Sequence, residues 1–436
     1  MDHMAAVPAP RSRAHGYRGR AGLKISRLRR PRLPPVNNEN VSRPPLTAEP
    51  PLRLIVTGGG TGGHTYPALT AVRALRARLQ RSGRALEVLW VGKADSLESR
   101  VAAGEGIPFA TVVTGKIRRS SNPIKMLSPA NVKDMLRVPL GVLQARKIIK
   151  RFRPDVVLAT GGYVAVPVGM AAARLCHRPL VVHEQTVRLG LANRSLAGRA
   201  TRVAVSSEST LPLLPEKTRA NAVVTGNPVR PEVLQGRPEK AVHALNLHGF
   251  DPHRPTVYVT GGAQGSQQIN TLVAGILPWL LSRANVIHQC GPDNLDGLRQ
   301  HTATLHPELA ARYLLTGYVG PELPDVLALA DVVISRSGAG TIAELTALGK
   351  AAVLVPLATS AGDEQAHNAR HLQETGAAVA LLGEPTPQTL GAAVDPLLAD
   401  PARRLAMAER ARAAGRPDAA DRLVDVLLSV VAHEDH

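Results

Sequence analysis

His64 stands directly behind a run of small residues, Gly58-Gly59-Gly60-Thr61-Gly62-Gly63. Imidazole has an ordinary pKa near 6.5, so a neutral histidine there could take a hydroxyl proton as a general base. Equally, it could simply bond a carbonyl from the first turn of a helix. A second polar group, His183-Glu184-Gln185, ends the apolar run Pro179–Val182. Glu184 could serve as an acid, a base or an orienting partner for His64, or belong to a solvated strand end. A third cluster, Ser335-Arg336-Ser337-Gly338-Ala339-Gly340-Thr341, opens a helical pattern with Glu344 one turn in. Ser337, Gly338 and Thr341 suit an anion site at a helix start, and Glu344 could bind the paired hydroxyls of a ribose. The alternative is a capping box of Thr341 with Glu344. Gln365 and Asn368 share a helix face and could donate and accept to a polyol.

These groups must be positioned by alternating strands and helices. The apolar runs at 52–57, 86–91, 109–113, 155–159, 179–183, 202–205 and 222–225 read as strands, with helices at 67–81, 95–103, 131–151, 167–175 and 190–197. That alternation predicts a parallel sheet covered on both faces. A loosely patterned stretch, 231–254, follows Thr225-Gly226-Asn227-Pro228. The pattern restarts at 256–260 with a second glycine loop, Gly261-Gly262-Ala263-Gln264-Gly265, and a helix over 268–281. Strands at 286–289, 313–316, 331–335, 351–355 and 377–381 follow, with helices at 322–329, 341–348, 364–375 and a last one from 419. Two similar Rossmann-like halves imply a cleft where ligands meet the carboxyl ends of the strands.

Gly58, Gly60 and Gly63 satisfy a dinucleotide fingerprint, which expects an acid about 20 residues on at the end of the second strand. None occurs between Gly58 and Leu86, and Glu87 begins a strand, so nicotinamide and flavin are disfavoured. What remains is a ligand with a diphosphate, a ribose and a group rich in hydroxyls, which describes a nucleotide sugar. No Asp-x-Asp motif is present, so a metal held by paired carboxylates is not indicated, and no cofactor is expected.

With 436 residues, two domains are the natural expectation. The formal charge of +19 raises nucleic acid, an anionic membrane or a phosphorylated substrate as partners. Residues 1–50 hold nine Arg, one Lys and eight Pro and read as disordered. Cys176 and Cys290 show neither a disulfide framework nor metal spacing, which fits a reducing cytoplasm. The uncharged stretch Val156–Ala173 is long enough to span a membrane, but Gly161, Gly162 and Pro167 break it into strand, turn and helix.

Seven motifs in order resemble the MurG family, the N-acetylglucosaminyltransferases that complete lipid II in peptidoglycan synthesis. They are Gly-Gly-Thr-Gly-Gly-His (59–64), Gly-Gly-Tyr-Val (161–164), His-Glu-Gln (183–185), Gly-Asn-Pro-Val-Arg (226–230), Gly-Gly-x-Gln-Gly (261–265), Ser-Gly-Ala-x-Thr (337–341) with Glu344, and Asp-x-Gln-x-x-Asn-Ala (363–369). The resemblance implies an α/β GT-B fold of two Rossmann-like domains facing each other across a cleft. An acceptor and membrane-binding domain would span 52–227, a linker 228–254 and a UDP-GlcNAc domain 255–418. The final helix, 419–434, would pack back, and the tail would end at 51. The resemblance further implies His64 as base with Glu184 nearby. Thr61, Gly62, Gly63 and Arg230 would approach the donor diphosphate, beside Ala263, Gln264 and Gly265. Ala339, Gly340, Thr341, Ile342, Ala343 and Glu344 would hold phosphate and ribose. The Val319 backbone would read uracil, and Gln365 the GlcNAc hydroxyls. Thr186 stands where the family has Asn, Ala263 where it has Ser, and Val166 where it has Gly. A hydroxyl at 186 cannot present both amide donor and acceptor.

The implied partners are UDP-GlcNAc, the undecaprenyl-pyrophosphate-linked MurNAc-pentapeptide and an anionic membrane surface at its cytoplasmic face, with no nucleic acid and no metal. The basic segment Lys116–Arg153 is the expected membrane surface, or else a solvated basic helix. Competing expectations are another GT-B transferase, a UDP-GlcNAc 2-epimerase and a catalytically dead nucleotide-sugar binder.

Overall fold

The computed structural model describes residues 49–115 and 129–432, without the side chains of 129–136 and 361. The readings made of the tail, and of the basic segment over 116–128, lie outside the described residues. Two all-parallel sheets are present. The first is ordered β3-β2-β1-β4-β5-β6-β7, from β1 (Leu52–Thr57), β2 (Leu86–Gly92), β3 (Phe109–Thr111), β4 (Val156–Ala159), β5 (Leu180–Glu184), β6 (Arg202–Val205) and β7 (Ala222–Val224). The second is ordered β10-β9-β8-β11-β12-β13, from β8 (Thr256–Thr260), β9 (Asn285–Gln289), β10 (Tyr313–Thr316), β11 (Val332–Ser335), β12 (Ala351–Leu354) and β13 (Val379–Ala380).

The central strands are apolar on consecutive residues because both faces are covered. Leu54 and Val56 pack against helix Gly62–Arg81, while Ile55 packs on the opposite face with Val157, Val182 and Ile149. In the second sheet Val257 and Val259 face helix Gln267–Ala274, and Tyr258 faces the other layer. Helix Ala419–Val431 places Leu423, Leu427 and Val430 in the core of the first sheet. The stretch 228–254 is not a bare connection: Val229, Val233, Ala241 and Leu247 are buried in the core of the second sheet.

Several elements differ from the sequence expectation. The helix expected over 268–281 is two, Gln267–Ala274 and Leu277–Leu281. Pro278 cannot donate to Ala274, so the first helix cannot continue through it. The strand expected over 377–381 shortens to Val379–Ala380. Helices Pro387–Ala399 and Pro401–Ala414 escaped the periodicity reading. Each nevertheless announces itself with a capping residue, Thr386 or Asp400, followed by a first-turn proline.

In each sheet the strand order reverses once, between β1 and β4 and between β8 and β11. The glycine loop 58–63 follows β1 and Thr160-Gly161-Gly162 follows β4. Likewise 261–265 follows β8 and 336–340 follows β11. All four loops therefore occupy the crevices where α/β sheets bind ligands.

Candidate active site

The two N-terminal glycine loops touch. Gly59 N–H donates to the Gly161 carbonyl at 3.3 Å. Gly162 has φ +78°, and a Cβ there would lie 2.2 Å from the Gly59 oxygen, so both its conformation and its contact demand glycine. Beneath the loop lies a residue that the sequence reading missed. Glu98 is fully buried, its carboxylate accepting Gly60 N–H at 3.1 Å and Lys93 N–H at 3.4 Å. A single acid in the first turn of helix Leu97–Gly104 reads as a surface residue, and only the fold brings the loop over it.

His64 is half-buried in the first turn of helix Gly62–Arg81. Its Nδ1 lies 3.0 Å from the Thr160 carbonyl and 3.0 Å from Gln185 Oε1. The amide orientation of Gln185 is fixed, because its Nε2 donates to the His183 carbonyl at 2.9 Å, a group that can only accept. Both neighbours of His64 Nδ1 are then acceptors, so Nδ1 carries the proton. The lone pair sits on Nε2, which no described residue engages. Gln185 Nε2 also donates to His183 Nδ1 at 3.0 Å, leaving the His183 proton on Nε2, where it is donated to the Gly226 carbonyl at 3.0 Å. His183 is fully buried, and burial, with the nearby His64 adding to it, pulls its pKa down to about 4 against the Gly226 bond. It stays neutral at pH 7 and holds the chain of bonds in one direction.

The orienting role considered for Glu184 thus falls to Gln185. Glu184 is buried and scaffolds the following loop: Oε1 accepts from Thr186 N–H and hydroxyl, and Oε2 from Gly190 N–H and Asn193 Nδ2, all within 2.8–3.0 Å. Thr186 is likewise turned inward, its hydroxyl between Glu184 and the Arg188 carbonyl at 2.6 Å. That side chain is spent on the loop, so the donor contact expected of position 186 is not offered by its hydroxyl. Val166 lies inside helix Ala165–Met170, so the turn before it survives the change from glycine.

Across the cleft, helix Ala339–Leu348 starts after Gly338, which provides no side-chain cap, and the first-turn N–H groups of Ala339, Gly340 and Thr341 face out. The alternative reading, a Thr341–Glu344 capping box, does not form because the helix begins two residues before Thr341. Glu344 instead receives both Nε and Nη2 of Arg230 on Oε1, at 2.9 and 2.8 Å. Burial pushes the Glu344 carboxyl up, and Arg230 offsets part of this. Arg336 bonds the Ser266 hydroxyl at 2.7 Å, while its Nη1 is buried with no partner among the described residues. Burial lowers the pKa of this guanidinium. An unneutralised cation between the starts of helices Gln267–Ala274 and Ala339–Leu348 makes a strong attractor for an anion.

Ala263 and Gln264 are exposed at the tip of the second glycine loop, and Gly265 (φ +72°) packs against the Cys290 carbonyl. Val319 is buried and its N–H donates to Gln289 Oε1 at 3.0 Å, so its carbonyl is the edge left for a base. Gln365 Oε1 accepts Leu357 N–H at 3.0 Å, leaving its amide nitrogen to the cleft. Asn368 is not free for a polyol. It donates to the Ser337 carbonyl at 3.2 Å and accepts Val187 N–H at 3.4 Å, tying the two halves together. Ile342 and Ala343 lie on another face of the helix from Glu344. Among the described residues no cluster of three or more His, Cys, Asp or Glu could hold a metal ion, and no helix is long and apolar enough to cross a membrane.

Residues 54–205 match the glycosyltransferase family 28 N-terminal domain, and residues 256–423 the glycosyltransferase family 28 C-terminal domain. A protein of Desulforudis audaxviator (strain MP104C) is 36% identical over 380 residues, covering 86% of this chain and 98% of that protein. It is named UDP-N-acetylglucosamine--N-acetylmuramyl-(pentapeptide) pyrophosphoryl-undecaprenol N-acetylglucosamine transferase. A protein of the same name from Halothermothrix orenii is 34% identical over 381 residues, covering 86% of this chain and 98% of that protein. The crystal structure of Acinetobacter baumannii MurG superposes with a TM-score of 0.67 at 26% identity, covering 87% of this chain and all of that one. With the two-sheet architecture and four glycine loops, these similarities establish that the chain belongs to the MurG family of GT-B glycosyltransferases.

Proposed function

We propose that the chain transfers GlcNAc from UDP-GlcNAc to the 4-hydroxyl of the MurNAc of undecaprenyl-pyrophosphate-linked MurNAc-pentapeptide, converting lipid I into lipid II. The observation that carries this reading is His64, held in the first turn of helix Gly62–Arg81 with its proton on Nδ1 and its Nε2 lone pair engaged by no described residue. In the reaction Nε2 takes the proton of the acceptor hydroxyl as that oxygen attacks the anomeric carbon. The bond from that carbon to the diphosphate breaks on the opposite face, so configuration inverts and UDP leaves with the bonding electrons. Its growing charge is met by the N–H groups of Ala339, Gly340 and Thr341, by Arg230 and by the unneutralised Arg336. Thr61, Gly62 and Gly63 approach the diphosphate from the other side. Glu344 Oε2, free of Arg230, accepts from the ribose hydroxyls, the Val319 carbonyl reads the uracil edge, and Gln365 contacts the GlcNAc hydroxyls. No cofactor or resident metal enters this reading.

The acceptor lipid requires peripheral attachment at the cytoplasmic face of an anionic membrane. Helix Pro129–Phe152 supports it by exposing Leu140 and Leu143, at 51% and 59%, beside exposed Arg146, Lys147, Lys150 and Arg151. Each such cation contributes about 1 kcal/mol close to an anionic leaflet. The test is GlcNAc transfer to a short-chain lipid I analogue. Wild-type chain should form the disaccharide product, and His64→Ala should lose turnover while still binding UDP. Absence of product from folded wild-type chain would overturn the reading.

A further inference from the structure

A cavity of about 310 Å³ lies between the two domains. It lies on the other side of helix Ala339–Leu348 from the Arg230–Glu344 pair. Ala339, Ile342, Ala343 and Thr346 line it. At 100° per residue these four share one face, and Glu344 projects roughly 150° away. The opposite wall comes from the N-terminal domain, from Ser206 to Ser209 and from Gly226 and Asn227.

Asn227 is the informative residue. It is 6% exposed, and neither its Nδ2 nor its Oδ1 has a hydrogen-bond partner among the described residues. Leaving both ends of a buried amide unsatisfied costs about 1–3 kcal/mol each, so a side chain open at both ends marks a place where another group is expected to bind. Its backbone cannot swing the amide elsewhere. Gly226 before it is fixed by the His183 bond, and Val229 after it is buried in the second domain's core. The volume far exceeds the ~30 Å³ that one water occupies and sits at the low end of ligand pockets.

The wall also selects the ligand's chemistry. Its two charged side chains, Glu208 and Arg416, pair with each other at 3.4 Å, so no net charge is left to attract an ion. Val224, Ile342 and Leu372 provide apolar surface. A carboxamide presents a donor beside an acceptor, which matches another cis amide through two parallel bonds. We propose that this cavity is a second ligand site, taking a small neutral molecule that carries an amide or lactam, paired with Asn227 and bridging the two domains. Because Gln185 also lines the cavity and holds His64 Nδ1, occupancy couples to the catalytic cleft, and any effect on donor affinity must be reciprocal.

The experiment is saturation-transfer NMR on the full chain with nicotinamide as probe, a neutral ring bearing a primary amide and no phosphate. Wild-type chain should give a signal that survives saturating UDP. Asn227→Leu should weaken binding roughly tenfold or more, the size of one or two lost hydrogen bonds. Thr375→Phe, which fills the cavity from its exposed rim, should abolish the signal and decides the matter if Asn227→Leu does not fold. No wild-type signal, meaning the cavity holds solvent only, overturns the proposal. So does an unchanged signal in the folded variants, and so does simple competition by UDP, which would make the cavity part of the donor cleft.

Discussion

Replacing Gln185 by Met tests whether the bond at Nδ1 makes His64 a base. Methionine keeps the length and volume of the side chain but cannot accept from His64 Nδ1–H. One of the two 3.0 Å acceptors on that nitrogen disappears and the Thr160 carbonyl remains. A neutral hydrogen bond contributes about 1 kcal/mol net, and its strength roughly doubles as the ring becomes cationic during proton uptake. The difference between ground and transition state is then about 1–2 kcal/mol, so kcat should fall roughly 5- to 30-fold. The KM for UDP-GlcNAc should not change. Stability should fall by about 1–3 kcal/mol, because His183 Nδ1 loses its donor while the His183 carbonyl keeps Asn193. Initial rates with UDP-GlcNAc and a lipid I analogue, run alongside urea melts, read both effects. In a His64→Ala background the substitution should cost no further activity, since two residues that act as one unit are non-additive. An unchanged kcat, or an equal loss in both backgrounds, would refute the assignment of Gln185 as the residue that positions His64.

Other outcomes follow from the same geometry. Glu98→Gln should destabilise the first glycine loop by about 1–3 kcal/mol in thermal melts, because both carboxylate oxygens accept backbone N–H groups and an amide must turn its own donor toward one of them. Gly59→Ala should fail similarly, since its Cβ would sit 2.3 Å from the buried Glu98 carboxyl carbon. Glu344→Gln should leave the fold intact and raise the donor KM about 10- to 100-fold, the loss of a charge-assisted contact to ribose. Between pH 7 and 5 the protein should lose about 2 kcal/mol for each of His183 and His288. Both are held neutral by burial with pKa about 4, so the unfolded chain takes up protons below pH 6.5 that the folded chain refuses, and stability rises with pH across that window. Urea midpoints that do not change over this range would contradict it.

The strands and the crevices were legible because a parallel sheet buried on both faces writes consecutive apolar residues, and each glycine loop follows such a run. Local chemistry was harder. Glu184 attracted attention as the more reactive side chain, yet strand alternation puts His183 and Gln185 on one side of β5 and Glu184 on the other. That alternation was readable and points to Gln185. Glu98 was not readable, since its role depends on a loop 38 positions earlier folding over it. The alternative Thr341–Glu344 capping box does not form, because the helix starts at Ala339 and Arg230, 114 positions away, takes up the carboxylate. Sequence spacing cannot reveal partners supplied from far along the chain.

The carboxylates around the cleft share one property that bears on the reaction. Glu98 faces two backbone N–H groups, Glu184 two N–H groups and the Asn193 amide, and Glu344 the Arg230 guanidinium. Each carboxylate is therefore partly balanced by donors, Glu344 keeping only Oε2 free of Arg230. The base carries no carboxylate on Nδ1 either: its partners are a carbonyl and a neutral amide. A carboxylate there would strengthen the base but would place a negative charge beside a departing diphosphate, opposing the charge that must grow in the transition state. Using Gln185, itself oriented by a histidine that stays neutral, fixes the tautomer without that opposition. In the proposed reaction this leaves Arg336, whose Nη1 has no partner among the described residues, and the uncapped start of helix Ala339–Leu348 to meet the charge on the leaving group.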